Sequence, residues 1–504
     1  MANSETLSAN QGKVWIQTDG PNSQPRLLGC YEMGDVTVPL GEVVRTRCPD
    51  PAHPGKWLTT NTRRGPADYP STSLSGLMGK TADYMEKATR NKICPMGLYV
   101  VWSSCGRADM FANYDVVKIV ENAQVTSHGE GGLVSREGTD DTTLSWDIDA
   151  EKVEVIYPLV ASQPLTAAAG GFLDIAAASD AKCTSGCGPS SDLCDVLYAV
   201  TEGAVAAKGE LWRSADRGAT WAVTASQPWA VNMNISSVVV FDVSRSVKRI
   251  LVSNGTTDAG AAAKVAYSDD LGATWTLVSV GTTLADFFAW NGSLFALDMY
   301  HIWGVTNLGA VYFSSDGGVT WTLQTAAPAA LINCVRFADA NIGVLVGTAN
   351  LIYYTEDGGA HWSIVTGPAA QAAVVARTVA VIDRYRWFVG YADGEIWYTN
   401  DGGTTWLQRT IPLPTGVTAI AAINDLGVWD EYVLFAGAHG TIGGAVKPVI
   451  LRSYDGGYTW EGRIGGTMTA GGKGVEAIQV CGANSAFGVG DLTNAVGTTM
   501  SVSE

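Results

Sequence analysis

One eight-residue phrase is written six times in this chain. It reads SADRGATW at Ser214–Trp221, SDDLGATW at Ser268–Trp275, SSDGGVTW at Ser314–Trp321, TEDGGAHW at Thr355–Trp362, TNDGGTTW at Thr399–Trp406 and SYDGGYTW at Ser453–Trp460. The template is Ser/Thr-x-Asp-x-Gly-x-Thr/His-Trp. Its fixed positions are Ser214, Asp216, Gly218 and Trp221; Ser268, Asp270, Gly272 and Trp275; Ser314, Asp316, Gly318 and Trp321; Thr355, Asp357, Gly359 and Trp362; Thr399, Asp401, Gly403 and Trp406; and Ser453, Asp455, Gly457 and Trp460. The copies start 54, 46, 41, 44 and 54 residues apart. A period of that size marks stacked supersecondary units, and for four-stranded units it marks propeller blades. Each copy reads as a tight turn. The hydroxyl and carboxylate bond nearby backbone, the glycine takes a conformation closed to other residues, and the tryptophan anchors the next strand.

These residues resemble the Asp-box (BNR) repeat of sialidases, sortilin-type receptors and photosystem II assembly-factor-like propellers. The resemblance implies a β-propeller over residues 172–504. It implies no single function, because enzymes, receptors and assembly factors share the box. The strands entering the boxes (ELWRS, KVAYS, AVYFS, LIYYT, EIWYT, VILRS) are apolar on both faces, as blades packed between neighbours require. Upstream runs such as VLYAVTEG and YVLFAGAHG read as inner strands. Beyond the last box, GVEAIQVCGANSAFGVGDL and GTTMSVSE supply up to three further strands. The expectation is seven blades, the last completed by a strand from Val153–Ala168, with six blades as the alternative.

Residues 1–160 carry no box and read as a β-sandwich or barrel, joined to the propeller by a linker at 161–171. The whole chain is mainly all-β. Strands are expected in Gly12–Gly20, Arg26–Gly41, Gly97–Cys105, Tyr114–His128 and Thr143–Val160. One flanking helix is expected at Lys80–Lys92, and a long, weakly periodic loop over Cys48–Leu77. The order strand, long loop, helix, then CGRADMFANYDVVKIVENAQVTSHGEGGLVSREGTDDTTLSWDIDAEKVEVI resembles the tail tube (major tail) proteins of long-tailed bacteriophages. That resemblance implies a homo-oligomer of stacked, commonly hexameric rings, with a lumen that passes DNA without binding it specifically. The long loop and a terminal arm would bridge rings, other virion tail proteins would be partners, and the chain would sit in the tail after synthesis in the host cytoplasm. The propeller would be displayed outside, binding a host surface glycan weakly or serving as a spacer.

Charge agrees with a conduit that does not grip nucleic acid. Residues 1–165 hold 20 acidic and 15 basic side chains and the remainder 29 and 17, within a net charge of −17. Neither part has the basic excess that phosphate binding needs. MANSETLSANQGK has no apolar segment of signal type, and no apolar run of membrane-spanning length is present. Such a chain is expected to keep reduced thiols. Cys183, Cys187 and Cys194 cluster in AKCTSGCGPSSDLCD, which leaves free thiols, a local disulfide or a metal site open.

Catalytic signatures are scarce. A sialidase-like glycosidase needs an arginine triad, a Tyr–Glu pair and an acid, and the arginines beside the boxes (Arg213, Arg217, Arg452) stand away from any central funnel. Asp383-Arg384-Tyr385-Arg386 reads as a solvated hairpin tip, and His439 as part of a loop. One fixed carboxylate per box is too few for a calcium cage. The expectation is therefore no enzyme, no cofactor and no bound metal. The alternative to a virion role is a non-viral protein-binding or assembly-factor propeller.

Overall fold

The computed structural model describes twelve strands between residues 11 and 162 by their backbone, and most of residues 171–490 with side chains. It leaves aside loops such as 179–193, 202–208, 256–264, 281–291, 325–330 and 465–473. The chain divides into two units, Met1–Pro158 and Leu159–Glu504. The expected helix at Lys80–Lys92 lies outside the described residues.

The first unit contains β1 (Gln11–Gln17), β2 (Arg26–Met33), β3 (Val43–Pro49), β4 (Trp57–Arg64), β5 (Ser71–Leu77), β6 (Met96–Trp102), β7 (Val116–Glu130), β8 (Val134–Arg136), β9 (Thr139–Asp141), β10 (Thr143–Asp149) and β11 (Lys152–Ile156). Seven of them form one antiparallel sheet in the order β10-β5-β2-β1-β6-β7-β11. The fifteen-residue β7 is long enough to pair with β6, β11 and β10, and its pairing with β10 brings the two ends of the sheet together. The stretch Cys48–Leu77 is not one loop. β3 and β4 form a hairpin in register from Val43↔Arg64 to Pro49↔Trp57, and β5 joins the main sheet. The Pro/Gly-rich composition of PDPAHPG concealed this in the sequence. The flanking TTNTRR and VVRTRC are half Thr and Val, β-branched residues that suit an extended pair.

In the second unit, six four-stranded antiparallel sheets each carry one box between their third and fourth strands. The strands of the first box-bearing sheet are Phe172–Ala178, Val196–Thr201, Leu211–Ser214 and Ala222–Val223. A seventh four-stranded sheet has no box. It consists of Val475–Gly482, Ser485–Leu492 and Val496–Ser503, and its fourth strand is Val160–Ser162, paired from Val160↔Ser503 to Ser162↔Ser501. That fourth strand falls within 153–168, and the stretch read as a linker begins inside it.

The apolar runs read as inner strands are the second strands. Val196–Thr201 is buried along its whole length, as are Gly343–Gly347 and Trp387–Tyr391. The innermost strands precede them and are richer in polar and small residues (FLDIAAA, INCVRF, ARTVAV), which hid them in the sequence. Third strands bury both faces: Leu211 and Trp212, Val265 and Ala266, Val311 and Tyr312, and Ile450 and Leu451 are all in the core. Clusters such as Trp303, Val335, Phe337, Leu345 and Trp362 span neighbouring sheets, and Trp303 stacks on Phe337 with ring centroids 3.6 Å apart. Each sheet hides both faces against its neighbours, which is the packing a propeller demands.

Candidate functional site

The six boxes share one hydrogen-bond design. In the second, Ser268 Oγ donates to Asp270 Oδ1 at 2.7 Å and accepts from Gly272 N at 2.9 Å. Asp270 Oδ1 then accepts Thr274 N at 2.8 Å, and Oδ2 accepts Thr274 Oγ1 at 2.6 Å. The same bonds join Ser214, Asp216, Gly218 and Thr220; Ser314, Asp316, Gly318 and Thr320; Thr399, Asp401, Gly403 and Thr405; and Ser453, Asp455, Gly457 and Thr459. In the fourth box His361 replaces the threonine and places Nδ1 2.6 Å from Asp357 Oδ2. The turn closes only with the glycine at positive φ: Gly318, at +84°, would bring a Cβ within 2.7 Å of Leu251. Every oxygen of these carboxylates is engaged within its own turn.

Their environments differ. Donors from Thr274 hold the exposed Asp270 carboxyl down to about 2. Asp455 makes the same bonds but is 0% exposed, and burial pushes its carboxyl up instead. The tryptophans also divide. Trp362 and Trp460 are buried, and the other four are half-buried. Indole Nε1 of Trp221, Trp321 and Trp460 donates to the carbonyl of its own box glycine. Those of Trp275 and Trp406 reach back to Ser226 O and Thr366 O of the preceding sheet.

A second repeated aspartate was not recognised in the sequence. Asp298, Asp339, Asp383 and Asp430 each accept a backbone N–H two residues on, and so shape the hairpin between first and second strands. The box docks onto this hairpin: Gly317 N donates to Met299 O, Gly358 N to Asn341 O, Gly402 N to Tyr385 O and Gly456 N to Tyr432 O. Asp298, Asp339 and Asp383 stand 18 positions ahead of Asp316, Asp357 and Asp401, a spacing that could have revealed them. The Asp383–Arg386 cluster is therefore one member of a structural series. Arg386 pairs with Asp383 and Glu431, and Arg384 with Glu356. His439 is not in a loop. It lies in the strand Leu434–Ile442 with Nε2 3.1 Å from Glu476 Oε1.

The seven innermost strands line a central channel of about 430 Å³. Six of them carry a β-bulge, near the start between Phe172/Asp174, Ile235/Ser237, Ile332/Cys334, Ala376/Thr378 and Val475/Ala477, and at mid-strand between Ile423/Asp425. A bulge re-aims the side chain beside it, here toward the next strand of the ring. Asp174 Oδ2 accepts Val238 N at 3.0 Å and Ser237 Oγ at 2.6 Å. Ser237 Oγ accepts Leu294 N, Gly292 O accepts Val335 N, and Cys334 Sγ lies 4.0 Å from Thr378 Oγ1. Thr378 Oγ1 accepts Leu426 N, and Asp425 Oδ2 accepts Ile478 N. The result is a belt of bonds running from sheet to sheet around the channel.

Arg336 lies across this belt. Nη2 is 3.3 Å from Asp425 Oδ1, while Nη1 donates to Val335 O at 3.0 Å and Gly292 O at 3.5 Å. Burial raises both channel carboxyls, Asp174 to about 6. Neither Asp174 nor Asp425 is an open acid or base, because both carry backbone N–H donors.

The belt ends at Ala477, whose side chain has no acceptor. At that seam Gln479 Oε1 accepts Ala177 N at 3.3 Å, and Cys194 is disulfide-bonded to Cys481 with Cα atoms 5.3 Å apart. Cys194 is thus neither a metal ligand nor locally paired, and the expectation of reduced thiols fails for this pair. Its partner is 287 positions away in sequence, beyond the reach of any local pattern. Cys183 and Cys187 lie outside the described residues.

No protein-family model and no curated protein matches this chain. Solved structures do. YCF48 from Cyanidioschyzon merolae is 17% identical, covers 68% of this chain and 98% of its own, and superposes with a TM-score of 0.48. The GH74 xyloglucanase from Xanthomonas campestris is 16% identical over 68% of this chain and 53% of its own, with a TM-score of 0.49. U3-55K is 6% identical, covering 68% and 98%, with a TM-score of 0.48. The likeness is one of fold. The four-stranded sheets described above make the second unit a β-propeller.

Proposed function

We propose that this chain is a binding and assembly protein whose propeller offers a rigid ring to a protein partner, and that it does not cleave sugars. The observation carrying this reading is the use made of the channel's ionisable groups. A glycoside-cleaving site needs two carboxyls free to exchange protons with substrate and water. Asp174 and Asp425 are instead spent on bonds to Val238 N and Ile478 N, and Arg336 on Asp425. In the same reading the boxless seventh sheet acts as a seventh blade that closes the ring. The full-length chain should capture one specific partner and leave fluorogenic glycosides intact. Turnover that disappears in Asp174→Asn or Asp425→Asn would overturn it. A chain ending before Val496 loses the strand paired with Val160–Ser162, and an unchanged melting temperature would argue for six blades.

A second reading rests on the first unit. The tail tube resemblance assigns ring bridging to the long stretch that includes β4 of the β3–β4 hairpin. In that role the chain is a virion protein made in the host cytoplasm, assembling into stacked, hexameric rings that pass DNA. Many propellers per tail would then turn weak glycan contacts into firm adhesion. Negative-stain microscopy of the purified chain should show rings or tubes, and a strict monomer at high concentration would exclude the role.

A further inference from the structure

The residue just before the box faces the residue just after the box tryptophan on the neighbouring strand. In sheets two to five this pair is Tyr267↔Thr276, Phe313↔Thr322, Tyr354↔Ser363 and Tyr398↔Leu407. An aromatic side chain there needs no counter-charge. Sheets one and six have an arginine instead. In sheet six it is Arg452↔Glu461, and Arg452 donates Nε at 3.0 Å and Nη2 at 2.6 Å to Glu461 Oε1. In sheet one it is Arg213↔Ala222. The carboxylate is gone and the arginine remains.

Two features show what Arg213 has in its place. Its Nε is buried and has no hydrogen-bond partner among the described residues. It also lines a surface cavity of about 320 Å³, together with Ala222, Trp221, Thr224 and Leu271. A buried guanidinium N–H without an acceptor costs free energy, and an acceptor from outside the chain would recover it. We propose that this cavity is a binding site for a small carboxylate, which takes toward Arg213 the position Glu461 takes toward Arg452. The ligand's body would rest on the indole of Trp221 and on Leu271, so a carboxylate bearing a flat or apolar group fits best. Such a carboxylate can be a free organic acid or a peptide C-terminus.

The test uses the full-length chain with benzoate, N-acetylphenylalanine and N-acetylphenylalanine amide as probes, read by saturation-transfer NMR. The two acids should bind and the amide should not. Benzoate binding with N-acetylphenylalanine excluded would assign the site to free acids, and binding of both admits a peptide end. Arg213→Gln should weaken binding at least about tenfold. Ala222→Glu supplies the missing acid from within, so it should abolish binding and melt no lower than the parent, which separates loss of the site from loss of the fold. The proposal falls if the folded parent binds neither acid, if the amide binds equally, or if binding survives in both variants.

Discussion

Cys481 is bonded to Cys194 at the one seam of the ring where Ala477 offers no side-chain acceptor to the next strand. Other seams of the belt use the side chains of Asp174, Ser237, Thr378 or Asp425, and the seam at Gly292 uses a backbone carbonyl; here the disulfide adds a covalent tie beside the bond from Ala177 N to Gln479 Oε1. Cross-linking residues 287 apart also restrains the unfolded chain strongly. Replacing both cysteines by alanine should lower stability by about 2–4 kcal/mol. Amide exchange should quicken first in Phe172–Ala178 and Val475–Gly482. Adding Ala477→Ser, which copies the role of Ser237, should return part of the loss. If exchange quickens evenly across all sheets, the seam has no special weakness.

The boxes should respond to acid in two directions. Asp270 has a lowered carboxyl, so its contribution is complete above the unfolded value of about 4 and is lost as pH falls through about 2. Asp455 has a raised carboxyl, so its protonated form is favoured by folding and its contribution fades as pH rises. Carboxyl carbon NMR across an acid titration should place Asp270 first to ionise and Asp455 last among the box aspartates.

Truncating one box tests its structural role. Asp357→Ala removes the acceptor for His361 N and for Thr355 Oγ1, and should cost about 1–2 kcal/mol in denaturant unfolding. Oligomeric state, measured by light scattering, should not change. A variant that keeps its stability but loses its oligomer would give the box a binding role instead.

Asp174 should titrate near neutrality. Burial raises its carboxyl to about 6 against donors from Ser237 and Val238 that favour the anion. The sign follows from linkage: the stabilisation is full below the ordinary value of 3.8 and is lost as pH rises through about 6. The difference is worth about 3 kcal/mol between acid and neutral pH. Denaturation midpoints at pH values on either side of 6 should fall accordingly, and a flat profile would place Asp174 in a wetter setting.

What the sequence disclosed was whatever a short window contains. Each box is a closed set of bonds within a few residues, so Ser268, Asp270, Gly272 and Thr274 announce their turn without help from the rest of the chain. The belt is the opposite case. Its members are Asp174, Ser237, Thr378 and Asp425, chosen by their place after a bulge and not by one chemistry, so no repeated letter exposes them. Arg336 meets Asp425 across 89 positions, and Cys194 meets Cys481 across 287. Such pairs become visible only once folding has brought sheets distant in sequence together. The Cys48–Leu77 reading failed for a different reason, since Pro- and Gly-rich composition obscured the two pairing strands, Val43–Pro49 and Trp57–Arg64.

The buried pair in sheet six offers the sharpest energetic test. Arg452 is 2% exposed and Glu461 8% exposed, so both charges have left water and depend on each other. Removing one partner from a buried pair strands the other, and the expected cost is about 3–5 kcal/mol. Glu461→Gln should therefore shift the urea midpoint far more than Asp357→Ala does. Sheet two shows how the same position is built without charge, with Tyr267 opposite Thr276. The double change Arg452→Tyr with Glu461→Thr copies that arrangement and should recover most of the loss, because replacing a buried ion pair by packed neutral groups is often neutral or better. If the double variant is as unstable as Glu461→Gln alone, then Arg452 has a further role at this seam. Its Nη1, 3.5 Å from Asn484 Oδ1 in the boxless sheet, would be the first contact to remove next.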